Sequence, residues 1–170
     1  MDTTLQIDSQ PELEAKILSL DTLLPRVREL KKEDRTIVTT NGTFDILHAG
    51  HVLFLNASKQ LGDILIVGVN SDRSVRSYKG PGRPIQSEVL RLRALSGLAS
   101  VDYLFPFDEE VPMPWLEQIR PDIHTNSAEY GDDPIERETV ERYGGKIRPI
   151  PLVEGVSTTR IIQRIRQGNG

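Results

Sequence analysis

The chain has 170 residues, of which 37% are hydrophobic and 27% charged, and this excludes a disordered or membrane-spanning protein and fits one globular domain. The net charge is −4, with acidic and basic residues interspersed, so we expect no nucleic-acid partner. There is no cysteine, which excludes disulfides, and Met1–Thr4 lack the features of a signal peptide, so we expect a cytoplasmic protein without membrane attachment.

Residues 1–34 are predicted to form an N-terminal extension with short helices. Residues 1–10 show no pattern, whereas hydrophobic residues recur at roughly helical spacing from Leu13 to Leu30. Pro25 lies inside this stretch and lacks the N–H of a helix interior, so we expect two helices interrupted there. Their apolar side chains offer a surface through which a homodimer, the commonest assembly, can form.

Residues 35–170 alternate β-rich runs with helical patterns. This rhythm predicts one Rossmann-like α/β domain with a doubly wound parallel sheet of about five strands. The nearly continuous apolar run from Ile64 to Val69 indicates a central strand that helices cover on both faces. Strands are expected at 36–40, 63–69, 101–107, 122–125 and 146–151, and helices near 50–61, 87–98, 112–119, 134–143 and 158–167.

Two histidines, His48 and His51, follow the first predicted strand, where bound ligands are expected in an open parallel sheet. At a helix start, their spacing of three places both imidazoles on one side. Together with free backbone N–H groups, they would donate hydrogen bonds to phosphate oxygens as charge builds up at a transferring phosphorus. An isolated pair also fits a helix cap or a zinc site, but no third metal ligand is evident.

Two strings carry a family resemblance. Residues 41–51, NGTFDILHAGH, resemble the first signature of the cytidylyltransferase-like nucleotidyltransferases. Residues 155–162, GVSTTRII, resemble their second signature, a helix start that holds the outer phosphates of a nucleoside triphosphate. Independently of the resemblance, Ser157 or Thr158 is a good helix N-cap, and such a helix start binds phosphate.

Between these strings, the chain resembles the heptose 1-phosphate adenylyltransferases of this superfamily, over about residues 16–166. The motifs that carry this resemblance are Leu61-Gly62-Asp63, Val69-Asn70-Ser71-Asp72, Lys79-Gly80, Arg83-Pro84 and Arg91. The resemblance implies an enzyme that joins a sugar phosphate to the α-phosphate of a nucleoside triphosphate and releases pyrophosphate. In the leading interpretation ATP and heptose 1-phosphate give ADP-heptose for lipopolysaccharide, with Mg²⁺ bound mainly through the triphosphate.

The resemblance also implies roles for individual residues. The catalytic residues would be His48, His51 and Lys79. From the residues themselves, Lys79 lies either on a mobile loop, residues 72–79, that closes over the phosphates, or on the surface as a solvated lysine. Arg91 would contact phosphate, with Arg93 pointing to another face of its helix. The implied nucleotide-binding residues are Asn41, Gly42, Thr43, Phe44, Gly50, His51, Arg91, Ser157, Thr158 and Thr159. The implied substrate-binding residues are Asp45, Lys79, Asn126 and Glu129.

The loop after the fourth predicted strand departs from the family pattern. Heptose enzymes carry Lys-Gly-Gly-Asp-Tyr there, whereas residues 126–130 read NSAEY, without the positive charge or the glycines. A loop in this position borders the base or the sugar, so the nucleotide and the acceptor both stay open. His124, just before it, fits either a pocket role or a buried structural role with a hydrogen-bond partner.

Other functions remain open. A CTP-dependent glycerol-phosphate or polyol-phosphate cytidylyltransferase shares both signatures and tolerates the altered loop. A non-catalytic nucleotide-binding module would bind nucleotide without turnover, although the intact His48, His51 and Lys79 argue against it. A redox enzyme on a similar sheet is disfavoured because the first strand is not followed by Gly-x-Gly-x-x-Gly.

Overall fold

The computed structural model describes residues 10–131, 133–151, 153 and 155–168, so residues 1–9 of the predicted extension and residues 169–170 lie outside it. The strands are β1 Ile37–Gly42, β2 Ile64–Asn70, β3 Tyr103–Phe107, β4 Ile123–Ser127 and β5 Lys146–Ile150. The helices are α1 Pro11–Glu14, α2 Leu20–Lys32, α3 Ala49–Lys59, α4 Asp72–Lys79, α5 Glu88–Ser96, α6 Met113–Ile119, α7 Arg137–Arg142 and α8 Thr158–Arg166, and the 3₁₀ turn Ala128–Tyr130 follows β4.

All five strands run parallel in one sheet of order β3-β2-β1-β4-β5. Helices cover both faces, which confirms the predicted doubly wound α/β class. On one face the buried helical side chains are Leu23, Val27 and Leu30 of α2, Trp115, Leu116 and Ile119 of α6, and Val140 of α7. On the other face they are Leu55 of α3 and Leu92 and Leu95 of α5. No helix of the described residues is long and apolar enough to cross a membrane.

The central strand is β1, not β2 as the apolar run predicted. The chain runs outward from β1 to β3 and then returns to build β4 and β5 on the other side. β2 is nevertheless buried from Leu65 to Asn70, because β1 and β3 flank it and helices cover both faces. A continuous apolar run therefore identifies a strand inside the sheet without fixing its rank in the order.

Pro25 does not interrupt the N-terminal helix, contrary to the prediction, because α2 runs through it. Pro25 is exposed, so water can replace the one hydrogen bond that it removes. The break lies earlier, where the backbone N–H of Leu18 donates to Leu104 O at 2.8 Å, attaching the chain to β3. Since α2 contributes to the same core as the sheet, the predicted boundary between residues 34 and 35 does not separate two cores.

The junction between β1 and β4 is narrow. β1 pairs with β2 along its whole length, whereas its register with β4 covers only Val38 and Thr39. Side chains extend the junction, because Thr39 Oγ1 lies 2.8 Å from His124 Nδ1 and Thr40 Oγ1 donates to the Thr125 carbonyl at 2.8 Å. This β1–β4 junction is the point where the strand order reverses, and ligands of such sheets bind beyond its carboxyl ends.

His124 lies in the core, which fits its structural interpretation, although its Nε2 has no hydrogen-bond partner among the described residues. The side chain is fully buried, and its Nδ1 has Thr39 Oγ1 as a partner. Burial lowers the pKa of His124 to about 3, so the ring is neutral at pH 7. His124 is also absent from the residues that line the cleft described below.

This burial predicts a histidine contribution to acid unfolding. An unfolded chain has an ordinary His124 pKa near 6.5, whereas the folded value is about 3, so the unfolded state binds the proton more tightly. The stabilisation is complete above pH 6.5 and is lost as the pH falls toward 3. The free energy of unfolding, measured with urea, should therefore fall more steeply with decreasing pH in the wild type than in His124→Gln. Below pH 6.5 the two slopes should differ by up to about 1.4 kcal/mol per pH unit. Parallel pH dependences in the two proteins would contradict this.

Candidate active site

A cleft of about 1380 Å³ lies at the carboxyl ends of the strands. Its walls include the ends of β1, β2 and β4, the start of α3, the end of α4 and the start of α8. Two signatures that lie more than a hundred residues apart in sequence therefore share one cleft. The sequence-predicted residues that line it are Asn41, Gly42, Thr43, Phe44, His48, Gly50, His51, Lys79, Asn126, Glu129, Ser157 and Thr158.

The two imidazoles of the first signature lie together, which confirms their predicted placement on one side. The rings of His48 and His51 stack with centroids 3.8 Å apart and 16° between their planes. His48 is the N-cap of α3, and its Nδ1 accepts the backbone N–H of His51 at 3.4 Å. Because Nδ1 is an acceptor, a neutral His48 carries its proton on Nε2. Both rings line the cleft, where phosphate binding stays their predicted role.

The turn before α3 is shaped around these rings. A Cβ at Gly50 would lie 3.0 Å from His48 Nδ1, so glycine leaves the room that this ring occupies. Phe44 adopts a φ of 48°, which non-glycine residues rarely do and which is common at functional sites. Its ring packs edge-on against His51, with centroids 5.2 Å apart, and closely beside Gly42. The geometry of the pair thus depends on its neighbours in the signature.

Both histidines are neutral in the free protein at pH 7. Burial is the main cause that lowers the pKa of His51 to about 4, and a protonated His48 and the Lys79 ammonium lower it further. Burial also lowers the pKa of His48. A neutral imidazole donates through one nitrogen only, and an approaching polyphosphate favours the protonated form. The pair can therefore gain positive charge when an anion binds.

The second signature supplies a capped helix start beside the first. Ser157 is the N-cap of α8, and its Oγ accepts the backbone N–H of Arg160 at 3.2 Å. Val156 reaches the start of α3, since its Cβ is 3.9 Å from where a Cβ of Gly50 would lie. Thr159 is exposed and does not line the cleft, contrary to its predicted nucleotide contact, because each residue along a helix points about 100° away from the previous one.

Lys79 lies on a helix rather than on the predicted flexible loop. Residues 72–79 form α4, which Ser71 caps by accepting the backbone N–H of Ser74 at 3.1 Å. The helix packs its buried Val75 inward. Lys79 is its last residue, and Gly80 follows with a φ of 86°, in the left-handed region that ends helices. Lys79 is thus presented to the cleft from a helix end.

The surroundings of Lys79 are crowded with charge. Burial, followed by the positive charge of Arg83, lowers the pKa of Lys79, and the negative charge of Asp45 partly opposes this. The Nζ atom lies 5.5 Å from the ring centroid of Tyr78. The hydroxyl of Tyr78 in turn makes a short hydrogen bond with Thr43 Oγ1 of the first signature. These contacts connect the end of α4 to the turn after β1.

Asp45 does not face the cleft, contrary to its predicted role in substrate binding. Its side chain is buried, and both carboxylate oxygens have protein partners. Oδ1 accepts the backbone N–H groups of Ile85 at 2.8 Å and Gln86 at 2.9 Å, and Oδ2 accepts Arg83 Nε at 2.6 Å. Burial alone would raise the pKa of Asp45, but these donors outweigh it and the pKa lies below its usual value.

Arg91 is likewise outside the cleft, so its predicted contact with phosphate is not supported. The guanidinium is fully buried, and each of its three nitrogens donates to the protein. The acceptors are Thr43 O at 2.7 Å, Asp72 Oδ1 at 2.9 Å and Gln86 O at 3.1 Å. Arg93 points to another face, as predicted, where it is exposed. Arg91 therefore joins three segments around the cleft.

The divergent loop lines the cleft with polar and acidic groups. Asn126 is nearly buried at the end of β4, and its Nδ2 donates to Glu136 Oε2 at 2.9 Å. Glu136 and Asn70 also line the cleft, and neither was among the predicted residues. Asn70 ends β2, so its position at a strand end was an available signal. Glu136 reaches the cleft through tertiary packing, which no local pattern indicates.

The chain was compared with protein families and known proteins. A family model described as cytidylyltransferase-like matches residues 39–164. The "Bifunctional protein HldE" of Pseudomonas paraeruginosa is 45% identical over 155 residues, covering 91% of this chain and 33% of that protein. HldE of Syntrophotalea carbinolica is 41% identical over 155 residues, with coverages of 91% and 32%. The chain thus spans about a third of the length of these relatives.

A solved structure is also similar to this chain. It is the crystal structure of the lipopolysaccharide core biosynthesis protein from Thermoplasma volcanium GSS1, with a TM-score of 0.59 and 32% sequence identity. The similarity covers 70% of this chain and 97% of that chain. The family model, which matches residues 39–164, spans both signatures.

Proposed function

Because this chain belongs to the cytidylyltransferase-like nucleotidyltransferases, we propose that it joins heptose 1-phosphate to the α-phosphate of ATP and forms ADP-heptose. The observation that carries the proposal is the meeting of the stacked His48 and His51, the capped start of α8 and Lys79 in one cleft. The resemblance of the intervening motifs to heptose 1-phosphate adenylyltransferases supports the choice of donor and acceptor.

The proposed reaction is one in-line displacement. An oxygen of the sugar phosphate attacks the α-phosphorus, the bond between the α-phosphorus and the bridging oxygen to the β-phosphate breaks, and pyrophosphate leaves. No covalent enzyme intermediate is needed, so the protein contributes positioning and charge stabilisation. Imidazole N–H groups and free helix N–H groups stabilise the negative charge that develops on the phosphate oxygens.

Positive charge in the cleft rises when the triphosphate binds. His48 and His51 are neutral in the free protein, and anionic phosphates shift both pKa values upward. Lys79 adds a cation to the cleft from the end of α4. The histidines and the start of α8 hold the outer phosphates, and Lys79 contacts the phosphate groups at the reacting end.

We propose that Mg²⁺ enters with the triphosphate. The described residues contain no group of three or more histidine, aspartate or glutamate side chains arranged to hold a metal ion. Mg²⁺ usually keeps several waters and binds through substrate phosphates and one or two carboxylates. Cleft carboxylates available to it include Glu110, Glu129 and Glu136. When bound, the ion neutralises charge on the phosphates and on the leaving pyrophosphate.

A CTP-dependent polyol-phosphate cytidylyltransferase is the second candidate. The observation that favours it is the divergent loop, where Asn126 is neutral and bonded to Glu136 instead of carrying a positive charge. Carboxylate and amide side chains offer a base or a sugar different hydrogen bonds from those that a lysine would offer. The phosphate-binding residues are the same in both cases.

Substrate tests decide between these candidates. The protein is incubated with Mg²⁺ and one of ATP, CTP, GTP or UTP, each against a panel of sugar 1-phosphates and polyol phosphates, and pyrophosphate release and product mass are measured. We expect turnover with ATP and heptose 1-phosphate, and loss of turnover when EDTA removes the metal. Turnover with CTP and a polyol phosphate would establish the second candidate, and nucleotide binding without any turnover would favour a non-catalytic module.

A further inference from the structure

The segment that follows Lys79 has little support from its immediate surroundings. A Cβ added at Gly80 or Gly82 would meet no atom within 4 Å, and Pro81 and Gly82 are exposed. The backbone N–H of Gly80 bonds to Arg76 O in its own helix, and that of Arg83 bonds to Gly80 O within the segment. These bonds are local and do not fix the segment to the sheet.

Asp45 attaches this segment to the turn after β1, as Arg91 also does through Gln86 and Thr43. The Asp45 carboxylate accepts Arg83 Nε at 2.6 Å and the backbone N–H groups of Ile85 at 2.8 Å and Gln86 at 2.9 Å. Asp45 directly follows Phe44, whose ring packs against His51. One buried carboxylate thus joins the turn that carries the histidines to the segment that follows Lys79.

The same carboxylate also controls charge around Lys79. Arg83 is a cation close enough to disfavour the protonated form of Lys79, and Asp45 holds the Arg83 guanidinium in an ion pair at 2.6 Å. Without the carboxylate, Arg83 would lose this partner, and its charge would be free to approach Lys79 or the substrate phosphates. Such a buried pair is costly to break from one side.

We propose that Asp45 is a positioning residue that sets the placement and charge environment of Lys79 through Arg83 and the backbone of residues 85–86. This inference rests on the proposed function of Lys79 as a phosphate ligand. It replaces the direct contact with substrate that the sequence predicted for Asp45. A residue that acts through Lys79 loses its effect when Lys79 is absent, whereas a residue that touches substrate does not.

A double-mutant cycle of Asp45→Asn and Lys79→Ala tests this. We expect Asp45→Asn alone to lower kcat by about 10-fold to 10²-fold, as small misplacements of reacting groups do, with smaller changes in both KM values. In the Lys79→Ala protein, the same substitution should lower kcat by less than about twofold, because its effect runs through Lys79. The proposal would be overturned if Asp45→Asn lowered kcat equally in the wild-type and Lys79→Ala proteins. It would also be overturned if Asp45→Asn left kcat normal or raised only the KM of the acceptor.

Asp102→Asn is the matched control. Asp102 also accepts a backbone N–H, from Leu65 at 2.7 Å, and an ammonium, from Lys59 at 2.6 Å, but it lies at the amino ends of the strands. Its substitution should lower the urea midpoint without lowering kcat. If Asp45→Asn does not fold, Arg83→Gln takes its place in the cycle, since it breaks the same ion pair from the other side.

The cycle also separates this inference from the function on which it rests. A Lys79→Ala protein with normal turnover would remove Lys79 from the proposed chemistry, and the role of Asp45 with it. A Lys79→Ala protein with slow but measurable turnover, in which Asp45→Asn causes a further full loss, would keep the proposed function and reject only the positioning role of Asp45.

Discussion

Replacement of His51 by alanine is expected to slow turnover by about 10²-fold or more while leaving the protein folded, and His48→Ala should do the same. Each substitution removes an imidazole from the stacked pair, and the loss of one preorganised donor to a developing anion has an effect of this size. The measurement is kcat and KM for both substrates, together with urea unfolding to verify the fold. Near-normal turnover of either variant would contradict the role of the pair.

His48 needs a further control because it has two roles. It is the N-cap of α3, so alanine also removes a cap, which typically costs about 1 kcal/mol. His48→Asn restores a good cap with a different side chain. We expect the asparagine variant to regain stability but not turnover. Recovery of both would mean that the cap alone explains the loss.

Arg91→Met is expected to lower the free energy of unfolding by about 3 kcal/mol, measured with urea in the absence of nucleotide. The substitution leaves the carbonyls of Thr43 and Gln86 without their donor and removes one side of a buried ion pair with Asp72. The value lies at the lower end of the range for such pairs because the Asp72 side chain is 28% exposed. Turnover should fall as well, since Thr43 belongs to the signature turn.

Arg93→Met is the matched substitution on the exposed face of the same helix. Arg93 lies 3.7 Å from Glu14 with more than half of its side chain exposed, so its loss should change stability by less than about 1 kcal/mol. If Arg91→Met instead had normal stability and only weaker ATP binding, the predicted contact of Arg91 with phosphate would be supported.

Periodicity and strand ends predicted most of the architecture and the location of the site. The alternation of apolar runs with helical patterns predicted about five parallel strands, and the spacing of His48 and His51 predicted that both imidazoles lie on one side. These features are local, because a strand pattern or a helix start depends on residues near one another in sequence. The order of the strands in the sheet depends on contacts between residues far apart in sequence, and β1 rather than β2 proved central.

The roles of Asp45 and Arg91 were beyond such patterns. A polar residue near a ligand site has the same sequence appearance whether it faces the ligand or holds a loop in place. Asp45 lies within the first signature but points away from the cleft toward residues 83–86, and that direction follows from tertiary packing. The helix before Gly80 was missed for a related reason, because it is short and mostly polar and buries only Ser74 and Val75.

The narrow β1–β4 junction links folding to binding. Thr39 and His124, which meet there, are 85 residues apart in sequence, so the loop that joins them is costly to close, and the contact depends on the rest of the sheet. The cleft spans this junction, with α3 on one side and the loop after β4 on the other. A ligand that touches both sides binds only the assembled sheet and adds RT ln(1 + [L]/Kd) to its stability. The nucleotide therefore stabilises the junction on which its own site depends.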